Sequence, residues 1–299
     1  VLRPRRAAVL AALFLVAGCD SGAPDTATPL TPPSIAPASA LPKVSAGAAR
    51  SLPLMAYRYT DEEFAVLARA EGLLVQQCMR RLGFTDHQPP PAPATGNGWT
   101  TGLPLGIVDA EHAARYGYHT PESLDQPAGP DRTSTPQDRM ELAVLLGKSE
   151  FGDISGKGVP EGGCQGEAIR RLNEGGPEAD LELDGRLGQQ ASEATEADPR
   201  VTEAMAAWSA CMAAAGHHYR TPMEASGQEW APAPSAAERA VATADVRCKE
   251  QTRLAEIWFT VQSGYENQLI ARNREALDAG RAQIDNEIKR AADLLASGG

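Results

Sequence analysis

The pattern Cys-Met-x-x-x-Gly occurs twice in this chain, from Cys78-Met79 to Gly83 and from Cys211-Met212 to Gly216. Each copy closes a run of apolar residues at helical spacing. Each glycine stands where a helix needs a left-handed residue to stop. A weaker echo follows, Cys164 to Leu172 against Cys248 to Leu254, each early in or within the next helical stretch. The chain therefore reads as two divergent helix–loop–helix halves. With Cys19 set aside, four cysteines remain, which in an oxidising compartment form two disulfides with three connectivities open to them. The echo selects one of the three, Cys78–Cys164 in the first half and Cys211–Cys248 in the second. Zinc is the weaker reading of these cysteines, because no pair has C-x-x-C spacing.

The compartment follows from the first nineteen residues. Arg3, Arg5 and Arg6 precede an apolar run from Ala7 to Ala17, which ends on Val16-Ala17-Gly18-Cys19. The run is too short to span a bilayer, which takes about 20 residues. A basic start, a short apolar core and small residues before a cleavage point make a removable signal. The cysteine after the small residues makes the segment resemble a bacterial lipoprotein signal with its lipobox. That resemblance implies cleavage before Cys19, diacylation of Cys19 and attachment to the extracytoplasmic face of the cell membrane. Two acyl chains anchor stably where one is marginal.

Charge narrows the partners. The formal charge is −11, and residues 1–18 hold three arginines and no acid, so the mature chain stands at −14. Such a surface repels nucleic acid, and no basic stripe with interleaved aromatics offsets it.

The chain divides into a signal over 1–18, a lipid-anchored disordered tether over 19–50 rich in Pro, Thr and Ala, a first helical half over 51–190 and a second over 191–299. Thr60-Asp61-Glu62-Glu63 is a capping box that opens a helix over 61–82. A short helix is expected at about 109–115, another after Thr135-Pro136, one after Cys164, and one capped by Asp198-Pro199. Residues 173–198 read as an acidic mixture of loop and short helix. Ser235 to Glu238 is a second capping box. Beyond it the stripe Leu254, Ile257, Trp258, Val261, Tyr265, Leu269, Leu277, Ile284, Ile288, Leu295 stays helical to the end. One helix of about 60 residues would run to about 90 Å, longer than such a domain, so a break is expected at Gly264 or Gly280, or a projecting end. No β pattern of weight occurs. The fold class is mainly α: a disulfide-stapled helical domain with a long C-terminal helix or helix pair.

Several of these segments look like a group of secreted lipoproteins from Streptomyces-type actinobacteria. They are Leu52 to Tyr57, Cys78-Met79, Tyr116 to His119, Val159 to Cys164, Trp208 to Met212 and Ala244 to Lys249. The resemblance covers most of the mature chain. It implies the anchor and the disulfides, and no catalytic residue, since the group carries no assigned activity.

Signals for chemistry are sparse. The chain has no Gly-x-Ser-x-Gly elbow, no His-Glu-x-x-His helix and no phosphate-binding glycine loop. Adjacent His217 and His218 beside Tyr219 offer two imidazoles for a metal, although neighbouring side chains rarely point the same way, and a partly exposed loop surface is the simpler reading. Tyr116-Gly117-Tyr118-His119 would line a ligand groove or pin a loop to the helical core, and pinning is the favoured reading. Asp180 to Asp184 lacks the glycine and distal glutamate of a calcium loop. No metal or cofactor is expected. Ile284, Ile288, Ala291 and Leu295 are the candidate surface for a protein partner or a second copy if the last helix projects; the favoured reading folds it back. Function is accordingly expected to be that of a membrane-anchored envelope lipoprotein with a non-catalytic binding module. The second reading is an enzyme acting on envelope material.

Overall fold

A computed structural model describes residues 29–45, 47, 51–89, 105–121, 124, 136–149, 152–153 and 158–298. The signal segment and Cys19 lie outside the described residues.

Helix α1 (Asp61–Arg81) starts on its capping box: Glu63 N–H donates to Thr60 Oγ1 and Thr60 N–H to Glu63 Oε2. Then come α2 (Ala110–Tyr116), α3 (Pro136–Leu146), α4 (Gly163–Asn173), α5 (Leu183–Glu196), α6 (Pro199–Ala214) and α7 (Pro222–Ser226). Three long helices close the chain, α8 (Ala236–Thr252), α9 (Leu254–Arg272) and α10 (Arg274–Ser297). The mainly α class holds. The only β structure among the described residues is the two-residue ribbon of β1 (Lys148–Ser149) against β2 (Gly152–Asp153).

Both disulfides pair as the echo selects, Cys78 with Cys164 and Cys211 with Cys248. The echo itself is a repeated helix ending. Phe84 N–H reaches Met79 O and Gly83 N–H reaches Arg80 O, while His217 N–H reaches Met212 O and Gly216 N–H reaches Ala213 O. Gly83 and Gly216 take φ of 95° and 88°, which L side chains rarely adopt. In each copy the methionine is buried and the cysteine one residue earlier is stapled to a following helix. The pattern is thus a physical unit: an anchor, a staple and a stop.

Among the described residues two large apolar cores and a small third one, of Ala113, Ala242 and Val246, form, and the two large ones draw on helices from both sides of residue 190. The first packs α1, α3 and α4 around Leu74, Met79, Val144, Leu172 and the Cys78–Cys164 bridge, with Ala291 of α10. The second gathers α5, α6, α8 and α9 around Leu187, Trp208, Met212, Cys248 and Leu269. Helix α5 crosses to the second core because Leu183, Leu187 and Ala191 form one stripe against α9. The far half of α10 crosses back. Its buried Leu277, Ile284 and Ala291 fall at every seventh residue and bind it to both cores.

That placement decides the C-terminal stripe. Helix α10 packs on α1 and α4, with Ile284 and Ala291 buried and Ile288 and Leu295 half-buried, so the helix folds back on the domain. The breaks in the C-terminal run also differ from expectation. Gly264 and Gly280 are helical, and the chain turns at Arg253 and Asn273. Arg253 is left-handed with φ of 58°, a conformation costing about 1–2 kcal/mol for an L residue. Its guanidinium offsets that cost by reaching Ala38 O, Leu41 O and Glu256. Asn273 turns the chain with its side-chain amide on Leu269 O, at 2.9 Å.

Part of the expected tether is folded onto the domain. Residues 29–45 lie against the second core, with Leu41 buried and Leu30, Ile35 and Val44 packed beside it. A Pro-rich segment lacks apolar periodicity, but here its carbonyls also meet side-chain donors from Arg200, Arg253 and Gln268.

Candidate ligand groove

One face of α8 carries Glu238, Asp245 and Lys249, seven and then four residues apart, and all three are buried. Glu238 is the capping-box glutamate, donor-bound through Ser235 N–H. Its other oxygen accepts Tyr118 N–H at 2.8 Å and faces His119 Nδ1 at 2.8 Å. One carboxylate therefore starts a helix and holds a turn 119 residues away in sequence.

Gly117 makes this approach feasible. Its φ is 63°, and a Cβ there would sit 2.4 Å from Glu238 Oε1. Gly117→Ala is expected to lower stability by about 1–3 kcal/mol through backbone strain and the lost approach. A fall in the denaturation midpoint with the disulfides intact checks this. An unchanged midpoint would mean that the turn is not pinned.

Asp245 lies deeper. It accepts Tyr118 Oη–H at 3.2 Å, Trp208 Nε1–H at 3.0 Å and Lys249 Nζ–H at 2.8 Å. Lys249 also donates to Ile107 O at 2.8 Å and to Leu105 O. Its three protons thus meet three acceptors, two of them carbonyls of an irregular segment. Burial pushes the Asp245 carboxyl up and the Lys249 amine down, and the attraction between the two opposes both shifts. Burial, and then the neighbouring Asp245, raise the Tyr118 phenol.

Above this buried network lies an open groove of about 780 Å³, lined by Tyr118, His119, Thr120, Ser226, Gln228, Glu229 and Trp230. Trp230 stacks on Tyr118 with ring centroids 5.8 Å apart, and its indole N–H is fixed on Ala225 O. His112 Nε2–H donates to His119 O at 2.8 Å. Since His119 Nδ1 faces a carboxylate, which can only accept, Nδ1 carries a proton and the ring is held in one orientation. Two fixed aromatic rings and an oriented imidazole therefore meet hydroxyl, amide and carboxylate groups.

Of the expected site residues, Tyr118 and His119 line the groove. Tyr116 turns away, beside His112 and under the Arg115 guanidinium. His217 is half-buried and His218 exposed, both just past the α6 stop and outside the groove lining. Among the described residues no cluster of three or more His, Cys, Asp or Glu side chains is arranged to hold a metal. Asp180 and Asp184 are engaged by Arg186 and Arg58. Sequence reading missed Trp230, Glu238, Asp245 and Lys249. The i, i+4 spacing of Asp245 and Lys249 is in the sequence, but it is also the spacing of an ordinary exposed pair.

A second hollow of about 700 Å³ lies where α1, α5 and α10 meet, with Tyr57, Phe64, Leu181 and Ile284 in its wall. Comparisons with protein-family models, characterised proteins and solved structures return no match for the chain. Among the described residues no helix is long and apolar enough to cross a membrane.

Proposed function

We propose that this chain is an exported lipoprotein of the actinobacterial type it resembles. A diacylglyceryl group on Cys19 holds it at the extracytoplasmic face of the membrane, and its helical domain is a non-catalytic binding module. The lipobox residues and the disulfides support the address. The binding reading is carried by one observation: Tyr118 and His119 are fixed by buried carboxylates beneath an open groove of mixed lining. A preorganised wall lowers the ordering cost of capturing a ligand.

A second reading, an enzyme acting on envelope material, has its own support. Glu238 and His119 have the arrangement of an orienting carboxylate and a general base. A photo-crosslinking residue at position 229, in the groove lining, separates the two in native membranes. The binding module is expected to give a reproducible adduct that Trp230→Ala abolishes and His119→Asn, which keeps a polar side chain, weakens only partly. Turnover of envelope material that His119→Asn eliminates would establish the enzyme instead.

A further inference from the structure

Residues 29–41 run antiparallel along α9. Arg272 donates to Pro29 O at 3.3 Å. Gln268 exchanges two bonds with Thr31, at 3.0 and 2.7 Å. Pro33 sits over Gly264, where a Cβ would come within 2.4 Å of the proline ring, and Pro33 O accepts from Arg200 at 2.7 Å. Arg253 then holds Ala38 O and Leu41 O. The steps match: four helical residues rise about 6 Å and two extended residues advance about 6.6 Å. Pro29, Thr31 and Pro33 therefore stay in register with Arg272, Gln268 and Gly264. This strap begins at the C-terminal end of α9, beside the elbow where Arg272, Asn273 and Arg274 lead into α10.

From this register we infer that the α9–α10 elbow is the membrane-facing end of the domain and that its partner is the lipid surface. The inference rests on the lipoprotein reading. The path from Cys19 to Pro29 is ten residues. Such a segment reaches at most about 35 Å. A folded chain of this size is about 45–50 Å across, so the segment holds the elbow against the bilayer rather than letting the domain turn freely. A tether continuing to residue 50 would reach about 100 Å and fix no face. The elbow also presents the exposed Arg274, next to Glu275, on a chain whose mature charge is −14, taking the three arginines of residues 1–18 from −11. An arginine is the charge that lipid phosphate attracts.

The test uses the intact lipoprotein purified from its membranes and placed in phosphatidylcholine–phosphatidylglycerol vesicles that carry a headgroup quencher. A fluorophore is introduced at position 274 or at position 289, where Lys289 is exposed about 22 Å further along α10. Position 274 should be quenched severalfold more than position 289. Gly264→Val, which displaces Pro33, should bring the ratio toward one, and so should the pair Gln268→Ala and Arg200→Ala, which leaves α9 sterically unchanged. Equal quenching at both positions on acylated protein overturns the inference and leaves the anchor standing. Absence of acyl mass on the Cys19 peptide of the same preparation overturns both.

Discussion

Lys249→Met should cost the folded protein about 3–5 kcal/mol, the range for removing one member of a buried ion pair. The side chain fits a similar volume, so the loss is polar. Asp245 would keep Trp208 and Tyr118 but face an apolar neighbour, and the carbonyls of Leu105 and Ile107 would lose the donor that Lys249 supplies. Each buried polar group left unpaired costs about 1–3 kcal/mol. The double variant Asp245→Asn, Lys249→Met removes the stranded charge, so it should be more stable than Lys249→Met alone. Urea melts followed by circular dichroism measure both. A single variant as stable as the parent would mean that Lys249 does not hold this segment.

Removing the first disulfide should cost nearly as much. Cys78 and Cys164 are 86 residues apart, which corresponds to about 4.5 kcal/mol of loop-closure entropy. Cys211 and Cys248 are 37 apart, for about 4 kcal/mol. Alanine is the replacement of choice, since both members of the first bridge are buried among apolar side chains. A typical domain has about 5–15 kcal/mol in all, so Cys78→Ala, Cys164→Ala should lie near the edge of folding. The first core should loosen before the second, because the second is larger and keeps its own bridge. Amide exchange resolved along the chain checks the order. Early loss in α6 and α8 would contradict it.

The features legible in the sequence are those set by local chemistry. Thr60 and Ser235 with their glutamates, Asp198 before Pro199, and Gly83 and Gly216 mark helix ends through bonds made within a few residues. The disulfide pairing was legible because an internal repeat carried it. What was not legible depends on partners far away in the chain. Arg253 is an ordinary helical residue by propensity, and only the strap carbonyls of Ala38 and Leu41 stabilise its left-handed turn. Gly264 looked like a helix breaker, yet its lack of a side chain serves Pro33 instead. Residues 29–45 read as spacer because their bonding partners lie more than 160 residues away. In the groove, Tyr118 and His119 could be singled out as dense in polar and aromatic groups. Glu238 could not, since its capping box already accounted for it.

The most direct test of the central claim is mass spectrometry of the chain recovered from its own membranes and digested without reduction. The account predicts a diacylated peptide starting at Cys19, with Cys78–Cys164 and Cys211–Cys248 as the linked pairs. An unacylated N-terminus with free thiols at those four positions would contradict it.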